Sequence, residues 1–190
     1  MAEKNFILAS GSPQRISLLR QIGFEPEKIE PADIDESEQK GEKASAYVKR
    51  MALEKARKIA EKHPGRVVLG ADTVVVVGTK ILHKCHTDEE QTAVMKLLSG
   101  KAHRVLSAVC VIGADGRIAV RLNTTRILMK KLSDEEIRGY VASHEWVGCC
   151  GYKIEGALAA FVTKMIGSYS GVVGLPLYET RNLLLGVGIK

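Results

Sequence analysis

The chain has 190 residues, 45% hydrophobic and 26% charged, and its 28 Lys+Arg against 22 Asp+Glu give a net charge of +6. That size and balance fit one domain or two closely joined lobes, and exclude a disordered tail, a collagen and a disulfide-stapled mini-protein. The positive balance admits an anionic partner without naming it: nucleotide, nucleic acid or acidic lipid.

Residues 6–9 read as a short strand that runs into Ser10-Gly11-Ser12-Pro13, a turn and helix start. Ser12 can cap that helix and Pro13 suits its first position. The helix is expected to reach about Ile22 and stop at Gly23. Residues 25–42 are polar and acidic and read as a loop with little strand. A second helix is expected over 43–62, closed by His63-Pro64-Gly65. Residues 66–77 form a β-branched run broken by Gly70-Ala71-Asp72, and Gly78-Thr79 turns it back toward Ile81-Leu82 as a hairpin. Thr87 with Glu90, and Ser133 with Glu136, form capping boxes for helices to about Leu98 and Ala142. Between them, 103–112 and 117–129 read as strands around Ala114-Asp115-Gly116. A loop over 148–156, a strand over 161–166, a loop over 167–174 and a closing helix over 176–185 complete the chain. The mixture, with an antiparallel hairpin in its middle, gives an α/β or α+β fold with a mixed sheet.

No apolar run approaches the roughly 20 residues of a membrane span. The start, with Glu3 and Lys4 ahead of a strand-like run, carries no export signal. Of the four cysteines, Cys149 and Cys150 are adjacent and Cys110 sits in an apolar run, so a reduced, cytoplasmic setting is expected. Aromatics are sparse and not interleaved with basic residues, which argues against nucleic acid as a partner.

The informative residues are charges placed where apolar side chains belong. On the second helix Ala44, Val48, Met51, Ala52 and Ile59 form one stripe, and Lys55 falls near its middle. An ammonium aimed at the core needs a partner or a wet cleft, or must snorkel at the edge. Arg15 lies on the inner side of the first helix, in its first turn, with Gln14 pointing elsewhere. A helix N-terminus behind Ser-Gly-Ser, with a guanidinium beside it, is suited to phosphate. Asp72 sits inside an apolar strand, so it must meet a cation, a metal or several donors, and Gly70 and Ala71 leave room for an approach. His83-Lys84-Cys85-His86 has no usual zinc spacing. There is no serine-hydrolase elbow, no Gly-Lys-Ser/Thr phosphate loop and no dinucleotide fingerprint.

Together these residues resemble the Maf family of nucleoside triphosphate pyrophosphatases, nearly end to end. The resemblance is carried by Leu8-Ala9-Ser10-Gly11-Ser12-Pro13-Gln14-Arg15, Leu53-Glu54-Lys55-Ala56, Leu69-Gly70-Ala71-Asp72-Thr73-Val74 and Leu97-Leu98-Ser99-Gly100 with His103. Gly151-Tyr152-Lys153-Ile154-Glu155-Gly156, Gly167-Ser168-Tyr169 and 172–177 extend it. It implies a single Maf-like domain over 1–190, with a mixed central sheet flanked by helices in two lobes and a cleft between them. It also implies hydrolysis of a nucleoside triphosphate to monophosphate and pyrophosphate with Mg2+ or Mn2+. A homodimer is common in the family, and members have been viewed both as housecleaning enzymes and as regulators of septum formation.

Carried over residue by residue, Ser10, Ser12 and the amides of the first helix would hold phosphate oxygens. Arg15, Lys55 and Lys84 would spread positive charge along the triphosphate. Asp72 would bind the metal or take a proton from the attacking water, and Glu36, of the acidic pair Asp35 and Glu36, would be a second metal contact. The family's lysine-bearing stretch before Gly-Tyr is replaced by Cys149-Cys150, and its Gly-Lys-Pro reads His83-Lys84-Cys85. Members acting on thymidine and uridine triphosphates tend to carry Arg, Thr and Gln at the positions of Gln14, Thr73 and Glu155. Members acting on 7-methylguanosine triphosphate tend to carry Trp, Gln and Glu. This chain mixes the two sets, which names no base; a carboxylate at 155 accepts a base N–H, where an amide would also donate.

Overall fold

The structure is a computed structural model that describes residues 6–190. Its elements in chain order are β1 (Phe6–Leu8), α1 (Pro13–Gln21), β2 (Lys28–Ile29), α2 (Ala44–Ala60), β3 (Val67–Val77), β4 (Lys80–Leu82) and α3 (Asp88–Leu98). β5 (Ala102–Ile112), β6 (Ile118–Met129), α4 (Asp134–Ala142), a 3-10 turn at Ala157–Phe161, β7 (Val162–Ile166), α5 (Tyr169–Val173) and α6 (Leu177–Gly186) follow. The strands form one seven-stranded mixed sheet in the order β2-β1-β3-β5-β6-β7, with β4 on β3 beside that path. β1 is parallel to β2 and β3, and the remaining pairings are antiparallel.

Three local expectations change. Gly70-Ala71-Asp72 does not break the run: β3 is continuous, because β5 pairs along it from Val68↔Ile112 to Val76↔Arg104. Gly70 is there for approach. A Cβ on it would meet the Ala52 carbonyl oxygen and lie 2.8 Å from Ala56 N, so only glycine lets α2 settle on the strand. Residues 167–174 are not all loop, since Ser168 caps α5 by accepting from Gly171 N at 3.0 Å. The box at Ser133 and Glu136 is complete, whereas Glu90 accepts from His86 N instead of Thr87 N.

Alternation along β3 explains the layering. Val68, Val74 and Val76 pack with Tyr47, Val48, Met51, Ala52, Ala56 and Ile59 of α2 on one face. The other face carries two apolar clusters. Leu69, Ala71, Val109 and Val111 pack with α1 and α6, while Val75, Val105, Ile127 and Met129 pack with α3 and α4. A polar seam divides these two clusters: Thr73 Oγ1 and Ser107 Oγ lie 2.8 Å apart, and Thr125 Oγ1 accepts from Ser168 N at 2.9 Å. α5 starts over this seam.

The sheet is incomplete at one place. On one edge of β3, β1 covers Val67–Leu69 and β4 covers Val75–Val77, while 70–74 have no strand partner on that side. β1 ends there and leads into α1, so the gap lies outside the carboxyl end of a parallel strand, where open α/β sheets take their ligands.

Candidate active site

A cleft of about 360 Å³ opens at this gap, within the range of small-molecule sites. Ser12, Gln14, Arg15, Glu36, Lys55, Asp72, Thr73, Lys84 and Glu155 all line it. Nine of the ten residues named from the sequence thus converge on one hollow; the tenth, Ser10, lies just behind it.

Asp72 shares the face of β3 that α2 covers, and Lys55 is one position before Ala56, which sits on Gly70. Both are buried, each 8% exposed, and Lys55 Nζ donates to Asp72 Oδ1 at 2.7 Å. The same ammonium lies 2.7 Å from Glu36 Oε1. Lys55 is therefore a paired core charge and not an edge lysine that snorkels. Glu36 is brought in by a loop tied to α2: Tyr47 Oη donates to the Glu36 carbonyl at 2.8 Å, and Arg50 donates to the Ser37 carbonyl at 3.0 Å. Burial pushes the Glu36 carboxyl up, but the Lys55 hydrogen bond and charge outweigh it and hold it below its ordinary value. Asp35 turns back to accept from Ser37 N at 2.9 Å, so the acidic pair divides, one member folding the loop and the other facing the cleft.

α1 supplies the opposite wall. Arg15 Nε donates to the Gly174 carbonyl at 2.9 Å and Nη1 to Ser10 Oγ at 2.9 Å, which fixes the guanidinium. Burial lowers its pKa, opposed by Asp72, Cys150 and Glu36, and the arginine stays charged. Thr73 Oγ1 donates to the same Gly174 carbonyl at 3.3 Å. Gly174 has φ +138°, a backbone that side-chain-bearing residues rarely adopt. The helix end is narrower as an anion site than the sequence suggested. Pro13 has no N–H, Arg15 N is held by Ser12 Oγ at 3.4 Å, and Ile16 N by the Ser12 carbonyl at 3.2 Å. That leaves the Gln14 amide. Gln14 does not point away: its Oε1 accepts from Ser12 Oγ at 3.1 Å and the side chain lines the cleft.

The third wall comes from the segment after β4 and the loop after α4, joined by an antiparallel bridge of Lys84 with Cys150. Cys149 and Cys150 line the cleft, and burial pushes the Cys150 thiol up to about 11, so it is a neutral thiol at pH 7 and no ready nucleophile. Lys153, unremarked in the sequence beyond its place in a motif, also lines the cleft. Its loop has no periodicity, and nothing short of coordinates could have shown its direction.

The sequence profile of the Maf-like protein family matches residues 5–187. The chain belongs to the Maf-like family. Among its Maf-like relatives, a Caulobacter vibrioides protein named dTTP/UTP pyrophosphatase is 50% identical over 185 residues, covering 97% of this chain and 96% of that one. A Zymomonas mobilis protein of the same name is 48% identical, covering 97% and 92%. Among solved structures, a HAM1 protein from Coxiella burnetii superposes with a TM-score of 0.53 at 16% identity, covering 95% of this chain and 98% of that one, a likeness of fold. Among the described residues no helix is long and apolar enough to cross a membrane.

Proposed function

We propose that the chain, acting as a single Maf-like unit, hydrolyses nucleoside triphosphates to the monophosphate and pyrophosphate, with dTTP and UTP as its substrates. The observation that carries this is the Lys55 ammonium, held at 2.7 Å by both Asp72 and Glu36 in a cleft that Arg15 and Lys84 also line. The relatives named dTTP/UTP pyrophosphatase support the substrate.

A divalent cation fits these residues. Asp72 and Glu36 converge from different elements, and the bonds of each carboxylate to Lys55 run through a single oxygen. Mg2+ is commonly held by one or two carboxylates together with substrate phosphates, which is the donor set this cleft would complete. When bound, the cation supplies charge neutralisation for the triphosphate. Arg15 and Lys84 hold the chain of phosphates, and Ser10 acts through Arg15. Water attacks the α-phosphorus, the bond from that phosphorus to the bridging oxygen toward the β-phosphate breaks, and pyrophosphate leaves. Asp72 Oδ2 is the oxygen open to either role, holding the cation or accepting the proton of the water, while Lys55 on Oδ1 keeps the carboxylate oriented. The fixed cations stabilise charge growing on the leaving oxygen.

The test is a triphosphate panel with Mg2+ or Mn2+, read for pyrophosphate and monophosphate. UTP and dTTP are expected to turn over, and Asp72→Asn to lower kcat by about 100-fold or more with an unchanged circular dichroism spectrum. Orthophosphate with a diphosphate product, or normal turnover in Asp72→Asn, would overturn the assignment.

A further inference from the structure

Cys149 and Cys150 are adjacent in sequence, and both line the cleft. Adjacent side chains of an extended strand face opposite ways, so this pair needs a turned backbone. Gly148 at φ +81° and Gly151 at φ +83° bracket it, and the chain bends at Cys149. The two thiols therefore open on one hollow. Both are partly exposed and free, and among the described residues neither sulfur has a hydrogen-bond partner. The other two cysteines are out of reach. Cys110 lies in the apolar layer under α2, and Cys85 is buried in the cluster that holds Met95 and Trp146. The backbone that carries the pair is held by the bridge of Lys84 with Cys150 and by Gln91 Nε2, which donates to the Gly151 carbonyl at 2.8 Å.

The number of sulfurs selects the ligand. Structural zinc takes a closed tetrahedral set, and among the described residues no group of three or more His, Cys, Asp or Glu side chains is placed to hold a metal ion. A soft centre that needs two sulfurs and no third ligand is what this pair can satisfy. Trivalent arsenic that carries one carbon group and one oxygen is such a centre, because it has two valences to exchange. Burial pushes both thiols up, so they are neutral at pH 7 and slow toward reagents that need a thiolate. Condensation with the arsenical uses the S–H groups as they stand. Two S–As bonds form, the As=O bond breaks, and its oxygen leaves as water with the two thiol protons. Arsenic stays trivalent, and nothing is oxidised or reduced.

We propose that Cys149 and Cys150 form a dithiol site for monosubstituted trivalent arsenicals, and that the occupant closes the cleft to triphosphate. An organic group on these sulfurs stands in the hollow of about 360 Å³ that Lys84 and Asp72 share. The dithiol site needs no assumption about turnover, whereas the loss of turnover rests on the pyrophosphatase reading above.

The probe is phenylarsine oxide on the folded, reduced chain, read by intact mass, beside UTP turnover with Mg2+ and thermal unfolding of each variant. One phenylarsenic group per chain with loss of one water is expected, together with loss of UTP turnover. A small dithiol should reverse both, and a monothiol at equal thiol concentration should not. Cys149→Ala and Cys150→Ala are each expected to weaken binding by about 100-fold or more, since one sulfur forfeits the effective concentration of a linked pair. Cys85→Ala should bind as the wild type does. Serine at 149 or 150 repeats the reading should an alanine variant unfold. No adduct on the folded wild type, or an adduct that survives without Cys149 or Cys150 and vanishes in Cys85→Ala, would overturn the site. A full adduct with undiminished UTP turnover would overturn the closure. In a chain that hydrolyses nothing, the mass reading still decides the dithiol, and the non-cleavable methylene analogue of UTP decides the shared cleft: it is expected to slow the adduct, and an unchanged rate at saturating analogue would overturn the closure.

Discussion

His103 shows how one buried side chain ties the site to pH. Its Nε2 lies 2.6 Å from Tyr152 Oη, and its Nδ1 is buried without a partner. A second proton would leave a charged donor in an apolar place, so burial lowers its pKa from 6.5 to about 4. Between those values the unfolded chain binds the proton and the folded chain does not. Stability is therefore full above about pH 6.5 and falls as pH drops toward 4, by up to about 3 kcal/mol. Glu30, held down to about 2 by Lys28 and His63, acts below that window. Urea unfolding at pH 6.5 and 5 should show the slope in the wild type and a flatter one in His103→Gln; equal slopes would place the lost stability elsewhere. At this scale the sequence was most legible where a residue broke its pattern. Lys55 in an apolar stripe and Asp72 in an apolar strand had to meet partners, and they met each other. Gln14 and Lys153 broke no pattern, so only the path of the backbone shows where they point.

At the scale of elements, the site depends on how closely α2 lies on β3. Gly70 is the contact that fixes this distance, with Ala52 and Ala56 of the helix over it. Lys55 and Asp72 meet because one precedes Ala56 on the helix and the other follows Gly70 by two on the strand. Gly70→Ala has no flexible side chain to displace, since the new methyl meets helix backbone. It is expected to cost about 3 kcal/mol, the upper part of the overpacking range, and to lower kcat through a spread Lys55–Asp72 pair. A second check is Gly139→Ala on α4, where a Cβ meets nothing within 4 Å, and which should leave both stability and turnover near wild type. Comparable loss in the two variants would show that the site does not depend on this approach. Elements bounded by caps and prolines were readable in the sequence. α5 was not, because its Gly and Ser residues read as turn chemistry until Ser168 is seen capping Gly171 N. Gly70 looked like a breaker because a single chain does not show the helix that needs its missing side chain.

At the scale of the molecule, the mixed sheet was legible, but the reason for a cleft was not. It arises because β1 and β4 share one edge of β3 without meeting, which is a matter of strand register and not of composition. The walls of the cleft come from α1, the loop pinned on α2, the segment after β4 and the loop after α4, so an occupant ties together parts of the chain far apart in sequence. A ligand that binds only when these walls are assembled must stabilise the whole fold. At 100 times its dissociation constant it adds about 2.7 kcal/mol, which for a chain of this size raises the melting temperature by roughly 5–10 °C. The probe is UTP with a methylene in place of the oxygen between the α- and β-phosphates, added with Mg2+, so that binding is read without cleavage. A single transition that moves upward as one is expected. Lys84→Met should reduce the shift by weakening the grip on the phosphates, while its unliganded melting temperature stays near wild type because Lys84 is exposed. A split transition, with only part of the signal displaced, would show that the ligand engages one wall, and no displacement at saturating probe would show that this cleft does not hold a triphosphate.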